Sequence, residues 1–138
     1  MNIIDTNNKL TSIAMLVVGI GFAVVYPVNM LVLEKQGWIW NYPERHMAFE
    51  HMLVAIYVTL GCFFILGARR PQEYVPLLNF TIVMSLAHGS VMWYDALHLS
   101  GMKEHLGIGG DVIGTFFPVV LLLFHPNRKQ WKFYPFKY

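Results

Sequence analysis

The sequence is poor in charge and almost without sulfur chemistry. Only 13% of its 138 residues are Asp, Glu, Lys or Arg, about half the ~25% share of a soluble domain. A net charge of +2 leaves no electrostatic footprint for nucleic acid. Cys62 is the single cysteine, which excludes an internal disulfide, a zinc knuckle and a redox thiol pair. The His-Glu-x-x-His spacing of metalloproteases is missing. So are internal repeats, low-complexity stretches and the paired broken helices of secondary transporters.

What is present is apolar mass. Residues of the AVILMFWYC set make up 56% of the chain, more than one globular core of this size can absorb. The pattern predicts an all-α integral membrane protein, a single domain over 1–138 with four spans at about 11–33, 47–67, 74–97 and 108–124. A crossing needs ~20 apolar residues, so the first three segments suffice and the fourth is marginal. The first segment is longer than a signal-peptide core and precedes no clear small-x-small site, so it is read as a retained helix. Short connectors carry helix-ending residues: Gly37 and Pro43, then Gly67 and Pro71, then the glycine-rich "SGMKEHLGIGG". Trp38, Trp40 and Tyr42 suit the headgroup zone, as does the basic, aromatic tail from His125 onward.

Four antiparallel spans place Lys9, Arg69, Arg70, Arg128, Lys129, Lys132 and Lys137 on one side, and Lys35, Arg45 and Lys103 on the other. The positive-inside rule then sets both termini in the cytoplasm, giving a multi-pass protein of the bacterial inner membrane. The acids sort the other way: Glu34, Glu44, Glu50, Asp95, Glu104 and Asp111 fall in the outer half, with His46, His51, His88, His98 and His105.

Helical spacing gathers these groups. In "SLAHGSVMWYDALH", His88 and Asp95 stand seven residues apart, nearly two full turns, and share a face with Ser85 and Met92. On the second span Glu50 shares a face with His46, Val54 and Tyr57, whereas His51 points ~100° away. Tyr26 with Asn29, and Asp111 with Thr115, give the first and fourth spans polar stripes of their own. Membrane carboxylates turn toward the bundle interior or a wet cavity, so the four stripes should face one another.

Several chemistries suit such a cluster. A divalent metal would draw on Glu50, His88, Asp95 and Asp111, with His46, His51 and His98 as weaker candidates. Haem would need His51 and His88 to meet at similar depth, and no attachment motif accompanies them. A proton relay or a quinone site would place Tyr57, Trp93 and Tyr94 around a ring. The plainest account is a structural hydrogen-bond network that fixes helix order. In that account His46, His98 and His105 are interfacial, and Gly61, Gly67, Gly89 and Gly114 are packing sites.

The segments "EHMLVAIYVTLGCFFILGARRP", "LAHGSVM" and "HLGIGGDV" resemble small four-helix bacterial membrane proteins of the broad DoxX-like type, over about residues 47–124. The resemblance implies four spans and singles out Glu50, His88 and Asp111. It also implies quinone- or thiol-linked oxidation, for which this chain lacks the paired thiols. The expectation is a small accessory or assembly subunit of a larger respiratory or oxygenase-type membrane complex, with a polar pocket open to the outer side. Its partners would be lipid and other membrane subunits, or further copies of itself. The alternative is a stand-alone membrane oxidoreductase or metal-binding protein that uses the same pocket.

Overall fold

The computed structural model describes residues 3–34, 38–40, 47–99, 101–123 and 125. His46, Tyr42 and the basic tail beyond His125 lie outside the described residues. The architecture is all-α. Helix α1 spans Ile3–Ile20 and runs on through two wide turns, Gly21–Val25 and Val28–Val32. Helix α2 is Met47–Gly67, α3 is Val75–His98 and α4 is Asp111–Phe116. A 3₁₀ turn at Lys103–Leu106 lies between α3 and α4, and a second, Phe117–Leu122, prolongs α4.

The wide turns have a local cause. Proline at position 27 brings no N–H and its ring crowds the carbonyl four residues back, so the α ladder cannot pass through it. The chain responds with five-residue hydrogen bonds on both sides, Tyr26 N–H to Gly21 O and Leu33 N–H to Val28 O. Proline acts again in the last helix. Pro118 sits where the chain tightens from α to 3₁₀, and the Phe117 N–H bonds to Gly114 O.

Three helices are long and apolar enough to cross a membrane: Asn8–Val32, Ala48–Gly67 and Val75–His98, with mean hydropathies of 2.1, 1.9 and 1.4. Only 22–33% of these stretches is buried within the protein. Their outward faces carry Ile13, Val17, Val24, Ile56, Phe63 and Phe80, all exposed. Such a surface is unsuited to water and suited to hydrocarbon. The sequence suggests a fourth crossing over 108–124, but residues 108–109 belong to a turn. Helix begins only at Asp111, as two six-residue segments, the second overwound.

The inward faces keep helical spacing. Ala14, Met15 and Val18 of α1 meet Leu60 and Phe64 of α2, and Leu78 and Ile82 of α3 and Leu121 close the core. Gly61 permits the α1–α2 contact. A Cβ there would stand 2.6 Å from the Ala23 nitrogen and 2.7 Å from the Gly19 oxygen, both backbone atoms that cannot swing aside. Gly67 and Gly89 are likewise crowded, whereas Gly114, expected to pack, faces open space. Beyond the last helix, the His125 Nε2–H donates to Asn79 Oδ1 at 3.0 Å and so ties the end of the described chain to α3.

Gly61→Ala should cost about 1–3 kcal/mol in unfolding from detergent, the range of overpacked cores. Gly21→Ala, with nothing within 4 Å, should be neutral or mildly stabilising. Burial pushes the His125 imidazole below its ordinary 6.5. The unfolded chain therefore takes up this proton at a higher pH than the folded chain does. Stability from His125 is fully present above 6.5 and is lost as pH falls from there toward the lowered folded value. His125→Gln, which keeps an N–H donor, should flatten that part of the profile of melting temperature against pH.

Candidate functional site

Asp111 opens α4, and both of its carboxylate oxygens are engaged. Oδ1 accepts from His105 Nδ1–H at 2.8 Å, and Oδ2 accepts from the indole N–H of Trp40. Asp111 and His105 are both buried, and the Trp40 and His105 rings lie 4.2 Å apart between centroids. The neighbouring indole of Trp38 donates to Gly109 O at 2.6 Å. A carboxylate accepts only, so the His105 proton on this contact is at Nδ1. The imidazole Nε2 is buried and has no hydrogen-bond partner among the described residues.

The glycine-rich connector builds this arrangement. The 3₁₀ turn Lys103–Leu106 is followed by a reversal in which Gly109 takes φ +85° and the Gly110 N–H bonds to Gly107 O. A side chain on Gly110 would sit on the His105 carbonyl. Glycine there lets residue 111 fold back beside residue 105. Ala96, Met102 and Val112 form a small apolar core beneath, with Trp40 packed against it.

Next to this cluster lies a cavity of about 650 Å³, within the ~300–1,000 Å³ range of small-molecule sites. Glu50, His88, Asp95 and Asp111 all line it, together with Ser85 and Thr115. One wall is aromatic. Tyr57 stands 5.0 Å from Phe22 and 4.8 Å from Tyr26 between ring centroids, and Tyr26 stands 5.9 Å from Trp38. The His88 ring lies 6.3 Å from Tyr57. The first wide turn of α1 supplies Phe22, and Tyr26 comes directly after it, so the proline-driven irregularity lies against the cavity.

Other sequence candidates lie elsewhere. His51 is exposed on α2 while His88 lines the cavity, so the pair considered for haem is not brought together. His98 is exposed, stacks on Tyr94 and donates from Nδ1 to the Tyr94 carbonyl of its own helix. Asn29 bonds back to Val25 O and is absent from the lining, contrary to its expected place in a polar stripe. Trp93 and Tyr94 are exposed and do not border the cavity, while Tyr57 does. Among the described residues no three His, Cys, Asp or Glu side chains are grouped closely enough to hold a metal ion.

His105, interfacial in the structural account, is instead fully buried, and with Trp38 and Trp40 it holds the start of α4. Loop residues lack the periodicity that assigns a face. The signal in the sequence is a glycine pair set directly before an acid, six residues after a histidine.

Fold and site together define a multi-span helical membrane protein with a buried His/Asp cluster. The chain belongs to the family of unknown function DUF6632, whose model matches residues 5–126. No curated protein and no solved structure matches it.

The cluster predicts coupled energetics. Asp111→Ala strands two donors and should cost about 1–3 kcal/mol. In a double-mutant cycle with His105→Ala, the coupling should reach about 0.5–3 kcal/mol, read from unfolding in detergent.

Proposed function

We propose that this chain is a small four-span, antiparallel subunit of a larger inner-membrane complex of respiratory or oxygenase type, with both termini cytoplasmic. In this reading it holds an apolar small molecule in the cavity, which opens to the outer side. The observation that carries it is the cavity itself: about 650 Å³, walled mainly by apolar and aromatic side chains and furnished with few polar groups. That is the usual make-up of an organic-ligand site. Docking on a partner is supported by the brevity of the last helix. Two six-residue segments fall well short of the ~20 residues a lone crossing needs, and a neighbouring subunit can cover the shortfall. Kinship with DoxX-like proteins belongs to the same reading.

The competing reading is a stand-alone membrane oxidoreductase or metal-binding protein. It draws on Glu50, His88, Asp95 and Asp111 lining one cavity. It reaches less far, because both Asp111 oxygens already accept hydrogen bonds from protein donors.

Native mass spectrometry of the chain, extracted in mild detergent, tests both parts. The expected result is a larger assembly that releases a small organic molecule, and loss of that molecule in Met92→Trp, which fills the cavity. A chain running alone as a small oligomer removes the subunit. The absence of any small-molecule mass removes the ligand.

A further inference from the structure

The cavity has a side as well as an end. Helix α2 packs on α1 and α3 packs on α4, whereas among the described residues the backbones of α2 and α3 do not close on each other. The tight turns of residues 68–74 join those two helices at the end far from the cavity. Along the seam between them, Phe49 and Leu53 of α2 and His88 and Val91 of α3 line the space. Phe49 and Val91 are at the same time each 60% exposed on the outward surface. Both belong to helices long and apolar enough to cross a membrane, and Val91 stands ~10 Å by helix rise inside the end of α3 at His98. Residues that line a cavity and face hydrocarbon at once are the lips of an opening. What meets this opening is what dissolves among acyl chains, where charge is costly. The molecule that enters there is apolar and uncharged.

Behind the lips, three neutral side chains have hydrogens to give. Ser85, 2% exposed, and Tyr57, 8% exposed, line the cavity with the half-buried His88. Ser85 and His88 are neighbours on one face of α3, and the His88 ring lies 6.3 Å from that of Tyr57. Neither hydroxyl and neither imidazole nitrogen makes a hydrogen bond among the described residues. Ser90 and Thr59, on exposed faces of the same two helices, donate to carbonyls of their own helix; Ser85 does not. A buried O–H without an acceptor is costly. A carbonyl oxygen offers two lone pairs and brings no hydrogen, so it can accept from two of these groups at once. A ligand hydroxyl would add one more donor to three.

We infer that the cavity takes, through the α2–α3 seam, a neutral lipophile that carries a carbonyl group. The carbonyl oxygen lies among Ser85, Tyr57 and His88, and the hydrocarbon body leads back past Phe49 and Val91 to the bilayer. The inference rests on the proposed small-molecule role and names the ligand's chemistry and its route. Phe22 and Tyr26, which pack on the Tyr57 ring, fix the phenol that reaches the carbonyl. Such a group has two sources, the ester of a bilayer lipid and a free ketone-type lipophile.

The test uses the purified full chain in nanodiscs of ether-linked lipid, which contains no carbonyl. One probe is a long-chain methyl ketone with a diazirine midway along its chain, and the other is the matching diazirine hydrocarbon. Saturable labelling by the ketone is expected, with cross-links mapped by mass spectrometry to Phe49, Leu53 and Val91, while labelling by the hydrocarbon does not saturate. Ser85→Ala and Tyr57→Phe each remove one hydroxyl and little volume. Each should raise the half-saturating ketone concentration about three- to tenfold, the value of a neutral hydrogen bond. Both variants are checked for unchanged elution on size exclusion. Nanodiscs of ester-linked lipid separate the sources: competition assigns the carbonyl to bilayer lipid, and undiminished labelling assigns it to a free lipophile. Equal saturation by the hydrocarbon, or indifference of the ketone to both substitutions, overturns the carbonyl and leaves the small-molecule role standing. Cross-links confined to the connectors, or no saturable labelling by either probe, overturn the lateral site. The small-molecule role falls separately, by the absence of any such mass in the native assembly.

Discussion

The Asp111 carboxylate is the point at which the cavity end of this protein is tied together. It accepts one hydrogen bond from a histidine on the α3–α4 connector and one from an indole on the α1–α2 connector. Two loops distant in sequence thereby meet at the first residue of the last helix. An acid at that place also answers the unpaired N–H groups of the opening helical turn. The cavity depends on this knot. Trp38 and Trp40 reach its lining because their N–H groups are anchored on Gly109 and Asp111. Gly110 is the condition for the knot, since no side chain fits against the His105 carbonyl.

Lipid imposes the complementary condition. Hydrocarbon offers no hydrogen bonds, so the backbone must satisfy itself within helices. Polar side chains on those helices must either bond back to their own carbonyls or turn inward. Both solutions are present. Thr59, Ser90 and Asn29 donate to carbonyls four residues earlier on exposed faces. Glu50, Ser85 and His88 line the interior space. The division of labour between the two ends of the bundle has this origin. Met15, Phe64, Leu78 and Ile82 pack solidly at one level, and the polar groups share a cavity at the other.

Regular helix makes the sequence legible. Apolar length locates the three long helices, and the periodicity of 3.6 residues is enough to bring Glu50, His88, Asp95 and Asp111 toward one another. Where regularity ends, so does legibility. His105, Trp38 and Trp40 sit on connectors, where facing is decided by turn geometry and not by spacing. The last helix is shorter than its composition suggests, because the chain stays apolar through Pro118 while the backbone there has already tightened. Asn29 leaves its expected stripe for a related reason: the extra residues in the wide turns of α1 alter which side each later residue faces. Both departures lie beside a proline inside an apolar run, and that proline is the sign the sequence carries.

The wide turns have an evolutionary corollary. In an unbroken α-helix, losing one residue rotates everything beyond it by about 100° and turns a buried face toward lipid. A five-residue hydrogen bond encloses one residue more than an α turn requires. The stretch from Gly21 to Val32 holds two such loops of slack. A one-residue deletion within it can be absorbed by a wide turn closing to an ordinary one, leaving Met30 buried and Tyr26 on the cavity side. The C-terminal part of the first span is therefore the part of this membrane helix whose length can drift without its orientation being lost.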